Sequence, residues 1–223
     1  MSPVVSRTAF RWALALAVLL LAAAVALWPR DPAGRAGMPD ATQRPPAPDL
    51  ATLRERAALT RCPAAQPGVA QPGAAQPGLA AGRGALAGVI VPCLGDGGTV
   101  AMGTALAGRN TLLTVWSHTC APCRDELPAL QEYAARPGAV PVLGVQVDGS
   151  PEAGLALLTV LDVHLPSVTD PDGTVRAALS APAVLPLSYV VAADGSVRMV
   201  NPPVVFRSAD EVDAVVARYL AGT

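Results

Sequence analysis

The sequence predicts an α/β domain, a central mixed sheet flanked by helices with an N-terminal hairpin extension, and three observations carry that expectation. From about residue 85 onward, short apolar β-like runs alternate with segments of helical periodicity. One such run, residues 111–116, hands over to a helix-like run, residues 124–133, through Cys120-Ala121-Pro122-Cys123. Two further runs, residues 187–191 and 196–200, flank Ala193-Asp194-Gly195 as the strands of a hairpin flank their turn.

The chain has 223 residues, a net charge of −1 and few aromatics, so no basic footprint for nucleic acid is present. Arg7 and Arg11 precede an apolar run over residues 12–28. At 1.5 Å per residue that run spans roughly 25 Å, enough for a short membrane anchor if Arg11 snorkels. A cleavable signal peptide is the other reading, with Ala22–Ala24 or Ala24–Ala26 as the small-residue cleavage site. Both readings put the rest of the chain outside the cytoplasm, secreted if the N-terminus is cleaved. The expected organisation is an anchor over 1–30, a linker over 31–84 and a folded domain over 85–223.

The linker is dominated by Pro, Gly, Ala and Gln, and carries three tandem five-residue units beginning at Ala65, Ala70 and Ala75. A proline every fifth residue blocks both helix and ladder, and the segment has too few bulky apolar groups to offset its ordering entropy. It reads as a disordered tether. One island, residues 49–60, has an Asp cap and Leu at 50, 53 and 59, which suggests a short helix.

Within the folded part, residues 89–91 and 99–101 around Gly95-Asp96-Gly97-Gly98 suggest an entrance hairpin. A strand over 111–116 and a helix from 120 to about 135 follow, then a strand over 140–147 and a helix over 151–161 capped by Ser150. The hairpin at 187–200 and an amphipathic helix over 208–220 complete the chain. The order is βαβα followed by ββα, the thioredoxin arrangement, with its redox motif after the first strand of the βαβ half.

A strand that enters a helix through Cys-x-x-Cys places its first thiol at the helix N-terminus. Unpaired N–H groups and the helix dipole favour a thiolate there. The second thiol, one turn on, can attack a mixed disulfide formed by the first. A static disulfide or half of a zinc site are the alternatives. Zinc needs four ligands, and His118 and His164 do not supply a second pair at suitable spacing.

The motif residues Cys120, Cys123, Arg124, Glu126 and Pro128, with Leu185-Pro186 and the segment 193–197, resemble the membrane-anchored, extracytoplasmic thioredoxin-like oxidoreductases of the TlpA/ResA type, in an actinobacterial form. The resemblance covers about residues 85–221. It implies that Cys120 attacks, Cys123 resolves, and Pro186 is a cis-proline packed beside the disulfide. Substrate would then be touched by Trp116, Thr119, Leu185 and Pro186. Glu126 corresponds to an active-site Glu that accepts the resolving thiol's proton; a solvated helix acid is the other reading of it. Two departures stand out. Thr119 occupies the position of the usual Trp before the first Cys, and Thr114 that of the buried Asp of cytoplasmic thioredoxins. His118 either tunes the thiolate or is simply exposed, and Arg124 reads more readily as a surface cation.

Spare thiols of exported proteins oxidise, so Cys62 and Cys93 are expected to form a structural disulfide. The resemblance implies a thiol–disulfide oxidoreductase needing no diffusible cofactor and no metal. Its partners would be extracytoplasmic Cys-containing proteins, apocytochrome c among them in cytochrome c maturation, and a membrane thiol–disulfide electron donor or acceptor. A copper-handling module or a redox-inactive binding domain are the alternative functions.

Overall fold

The computed structural model describes residues 49–64 and 84–222, together with residues 17 and 20. The rest of the expected anchor, and the linker at 31–48 and 65–83, lie outside the described residues. Among the described residues no helix is long and apolar enough to cross a membrane.

The chain divides into two units, Met1–Ala47 and Pro48–Thr223. The second contains helix α1 (Leu50–Ala57), hairpin strands β1 (Ile90–Pro92) and β2 (Thr99–Ala101), and the one-turn helix α2 (Met102–Ala105). After these come β3 (Thr111–Trp116), α3 (Ala121–Ala134), β4 (Val142–Gln146), α4 (Pro151–Val160), β5 (Ser167–Thr169) and α5 (Thr174–Ala178). Strands β6 (Leu187–Val191) and β7 (Val197–Met199) and helix α6 (Ala209–Ala221) end it.

The five-stranded sheet runs β5-β4-β3-β6-β7, with β3, β4 and β5 parallel and β6 and β7 antiparallel. β3 is central, and all six of its residues are buried. Its alternation divides the core in two. Leu112 and Trp116, with Val142 and Val190, face helices α3, α4 and α6; Leu113 and Val115, with Leu143, Val145 and Tyr189, face the entrance hairpin, α2 and α5. A buried aliphatic side chain contributes about 1.5–3 kcal/mol, so these two layers are the main source of stability.

β5, α5 and α2 were not foreseen. β5 has only three residues, Ser-Val-Thr, and is a strand because β4 pairs with it from Gly144 to Gln146. The five-residue α5 begins at Gly173, which is left-handed (φ 68°) and makes no side-chain cap. The cap comes from buried Asp170, whose carboxylate accepts the N–H groups of Val175 and Arg176, each at 3.0 Å. The observed order is therefore βαβαβα followed by ββα.

The linker boundary also needs correction. Residues 49–64, placed in the tether by composition, belong to the folded unit. Asp49 caps α1 by accepting the Thr52 N–H at 2.7 Å, Ala57 is fully buried, and Leu50, Leu53 and Leu59 pack on the first core. Arg54 Nε donates to the Leu94 carbonyl at 3.1 Å, and Thr60 N–H to that of His164 at 2.8 Å. Cys62 and Cys93 are joined by a disulfide. Cys93 bridges to Val168 of β5, so this bond fastens the strap to the sheet edge.

The two cysteines are separated by 31 residues. Replacing both with serine should cost roughly 3–4 kcal/mol by loop-closure entropy. Denaturant unfolding of the double variant checks this; a loss below about 1 kcal/mol would contradict the staple.

Candidate active site

The site is built where β3 ends. Residues 117–119 make a turn closed by the Cys120 N–H donating to the Ser117 carbonyl at 3.1 Å. Cys120 is then the N-cap of α3, with extended backbone (φ −82°, ψ 106°). Its sulfur accepts the Cys123 N–H at 3.2 Å. This is the capping bond a helix start asks of a Ser or Asp side chain, made here by sulfur, and it favours negative charge on that atom. Pro122 lies in the first helical turn, where no N–H is required.

The structure holds Cys120 and Cys123 as a disulfide, but the two sulfurs are not equivalent. Cys120 is half-buried, whereas Cys123 is fully buried in the first core. Only Cys120 can meet a sulfur arriving from solvent, and Cys123 can attack only inward, at Cys120.

Glu126 follows Cys123 by three residues, on the same face of α3. It is fully buried (0% exposed). The Thr114 hydroxyl donates to its Oε1 at 2.9 Å, while Oε2 has no hydrogen-bond partner. Burial pushes the carboxyl from its ordinary 4.5 up to about 7; the Thr114 hydroxyl and the Phe206 backbone amide oppose that rise. Glu126 is thus not a solvated acid, and it is poised to exchange a proton near neutral pH.

The Leu185–Pro186 peptide is cis. Val115 pairs with Leu187, so the register sets Pro186 level with Trp116, at the end of β3 where the Cys motif begins. Pro186 is buried and Leu185 half-buried, while Val184 is 51% exposed. Thr119 is exposed beside Cys120 and shares a 3.1 Å hydroxyl contact with Ser117.

Trp116 corrects an expectation. Contact with substrate requires it at the surface, but it is 0% exposed and belongs to the first core. Its Nε1 lies over Gly144, where a Cβ would stand 2.8 Å away. A central strand buried on both faces leaves this side chain no route to solvent. His118 is half-buried against Gly149, whose added Cβ would collide with the ring. Arg124 is exposed.

His164 is not part of the site. Its Nδ1 contacts the Ala57 carbonyl at 2.9 Å and its Nε2 contacts Asp162 at 3.2 Å, so it pins the strap. Among the described residues no three His, Cys, Asp or Glu side chains converge as metal ligands. The residue that sequence reasoning undervalued is Thr114. Without an acid, that position supplies no proton route of its own; a hydroxyl at an inward position of the strand before the motif is the signal for it.

A model of the AhpC/TSA family matches residues 89–200. The thiol:disulfide interchange protein CycY of Rhizobium leguminosarum bv. viciae is 33% identical over 95 residues, 42% of this chain and 50% of that protein. The chain thus spans about half the length of this curated relative. Among solved structures, a secreted Mycobacterium tuberculosis disulfide oxidoreductase homologous to E. coli DsbE is 27% identical, with a TM-score of 0.51 over 58% of this chain and 95% of that one. MTB dsbF, solved in mixed oxidized and reduced forms, is 25% identical with a TM-score of 0.53, over 60% of this chain and 96% of that one.

A buried carboxyl with a raised pKa makes stability fall as pH rises. Between 4.5 and about 7 the folded state binds the proton that the unfolded state has lost, so this stabilisation is complete below 4.5 and gone above about 7. Its size is about 3 kcal/mol. Glu126→Gln keeps the shape without the titration, so its stability relative to wild type should rise by that amount between pH 4.5 and 8, read by urea unfolding. Parallel pH curves for the two proteins would contradict the raised pKa.

Proposed function

We propose, from the premise that the chain belongs to the AhpC/TSA family of thioredoxin-like proteins, that it is a thiol–disulfide oxidoreductase acting on cysteine pairs of other proteins. The single observation that carries this reading is the asymmetry of the motif: an accessible sulfur at a helix N-cap, backed by a fully buried sulfur with a buried carboxyl on the same helix face.

In reduced form, the Cys120 thiolate attacks a partner disulfide and forms a mixed disulfide, expelling one partner thiolate. Cys123 then gives its proton to Glu126 and attacks Cys120, closing the motif and releasing the partner as a dithiol. The reverse sequence oxidises a partner dithiol. Either direction leaves the motif in the other redox state, so a membrane thiol–disulfide donor or acceptor must reset it. The Leu185–Pro186 segment and exposed Thr119 form the surface on which the partner chain lies. Pro186 has no N–H, which leaves that backbone nitrogen unable to bond a competing strand.

The finer reading is an extracytoplasmic domain tethered by residues 12–28, with apocytochrome c among its substrates. It is supported by the second disulfide, Cys62–Cys93, a bond that persists in oxidising compartments. The relative with a TM-score of 0.51 is itself secreted. The apocytochrome assignment rests on the TlpA/ResA resemblance. A redox-inactive binding module would have no use for the sulfur cap and the sealed carboxyl together.

Cys123→Ser should accumulate mixed disulfides through Cys120, at least about ten-fold more than Cys120→Ser, because the variant can attack but not resolve. Non-reducing gels with mass spectrometry of trapped partners measure this. Equal trapping by both variants, or by neither, would refute the assigned roles.

A further inference from the structure

Thr114 is fully buried in the middle of β3, on the sheet face that meets α3. Its register neighbours on that face are Gly144 of β4 and Ser188 of β6. Ser188 is buried and its hydroxyl has no partner. From the segment before α6 the nearby group is the Phe206 backbone amide, and on α3 itself buried Cys123 precedes Glu126 by three residues on the same face. None of these carries a charge in the oxidised protein, and no charged side chain contributes to the shift of Glu126. The Thr114 hydroxyl donates to Oε1 of the carboxyl, and Oε2 has no hydrogen-bond partner.

We propose that Thr114 is the positioning residue of the proton-transfer step: its hydroxyl holds Oε1 of Glu126, so the proton exchanged with Cys123 is carried on Oε2. This rests on the oxidoreductase reading above. A threonine hydroxyl has one hydrogen to donate, and with it given to Oε1 that oxygen keeps the negative charge's hydrogen bond, while Oε2 is the more basic of the two. When Cys123 resolves a mixed disulfide, its S–H bond breaks and an O–H bond forms at Oε2. The Cys123 sulfur then carries its electron pair to Cys120, the intramolecular S–S bond forms, and the bond to the partner breaks with its electron pair leaving on the partner thiolate. β-branching suits the role, because Thr χ1 is restricted and the hydroxyl stays aimed without a second partner.

The same bond sets the pH at which Glu126 works. A hydrogen bond from Thr114 favours the carboxylate and opposes the effect of burial, so removing it raises the pKa further. Loss of a hydrogen bond to a charged group corresponds to about one unit or more.

The test uses the full chain in reduced form, with Thr114→Val and Thr114→Ser, and reads two quantities. The first is the titration midpoint of the Glu126 side-chain carboxyl by carbon NMR; the second is the pH profile of resolution of a mixed disulfide preformed on Cys120. Thr114→Val should raise the midpoint by about one unit and slow resolution at pH 7 about five-fold, with rate recovered at higher pH. Thr114→Ser should leave both near wild type. If Thr114→Val does not fold, Thr114→Ala carries the same expectation. An unmoved carboxyl midpoint in Val and Ala overturns the positioning role while leaving the oxidoreductase reading intact. A midpoint moved in Thr114→Val with its resolution profile unchanged, or a wild-type resolution profile in Glu126→Gln, overturns the proton-transfer step itself, and Thr114's part in it, without touching the cysteine assignments.

Discussion

The burial of one carboxyl group beneath the first turns of a helix is the constraint on which this site depends. Glu126 gives up hydration; the Thr114 hydroxyl donates to its Oε1, and its Oε2 is left without a partner. An ionised carboxylate so placed would be very costly, so the group retains its proton up to about neutral pH. That is the property a proton acceptor for a buried thiol needs. The cost is tolerated because α3 is held by the whole first core, from Leu127, Leu130 and Tyr133 on the helix to Phe206 and Val212 beyond it. A looser helix would let water in, and the carboxyl would revert to an ordinary surface acid.

The sheet gives the site its polarity in space. β3 is central and sealed on both faces, so its C-terminal end is a fixed point, and the Cys motif and the Leu185–Pro186 segment both start from it. At the far edge, the strap of α1 and the Cys62–Cys93 bond close off β5 and the entrance hairpin. The two disulfides therefore do different things. One is anchored between a strap and a sheet edge, with Cys93 buried; the other spans a single helical turn with one sulfur reachable from solvent.

Much of this was legible in the sequence because the signals are local. The strand at 111–116, the thiol motif, the hairpin turn at 193–195 and the Ser208 cap each follow from neighbours a few residues apart. What escaped depends on distant partners. β5 is a strand only because β4 lies beside it, and α5 is capped by Asp170 rather than by its own first residue. The strap looked like linker because its fully buried contact is Ala57, a small residue among Arg54, Glu55 and Arg56. Trp116 looked like a surface aromatic near the thiols, but strand alternation turns it inward with Leu112 and Thr114. Thr114 reads as the lack of an acid; the buried acid of the site is Glu126 on the facing helix, and the Thr114 hydroxyl donates to it.

The measurement that bears most directly on this account is competitive alkylation of the reduced full-length protein with a soluble thiol reagent, followed residue by residue by mass spectrometry over pH 5 to 9 (a window chosen to span about neutral pH, where thiols and a raised carboxyl both titrate). The account predicts that Cys120 is modified first at every pH, with Cys123 protected until the protein unfolds, and that Cys62 and Cys93 stay joined under mild reduction. Modification of Cys123 at the same rate as Cys120, or ahead of it, would contradict the division of labour on which the mechanism rests.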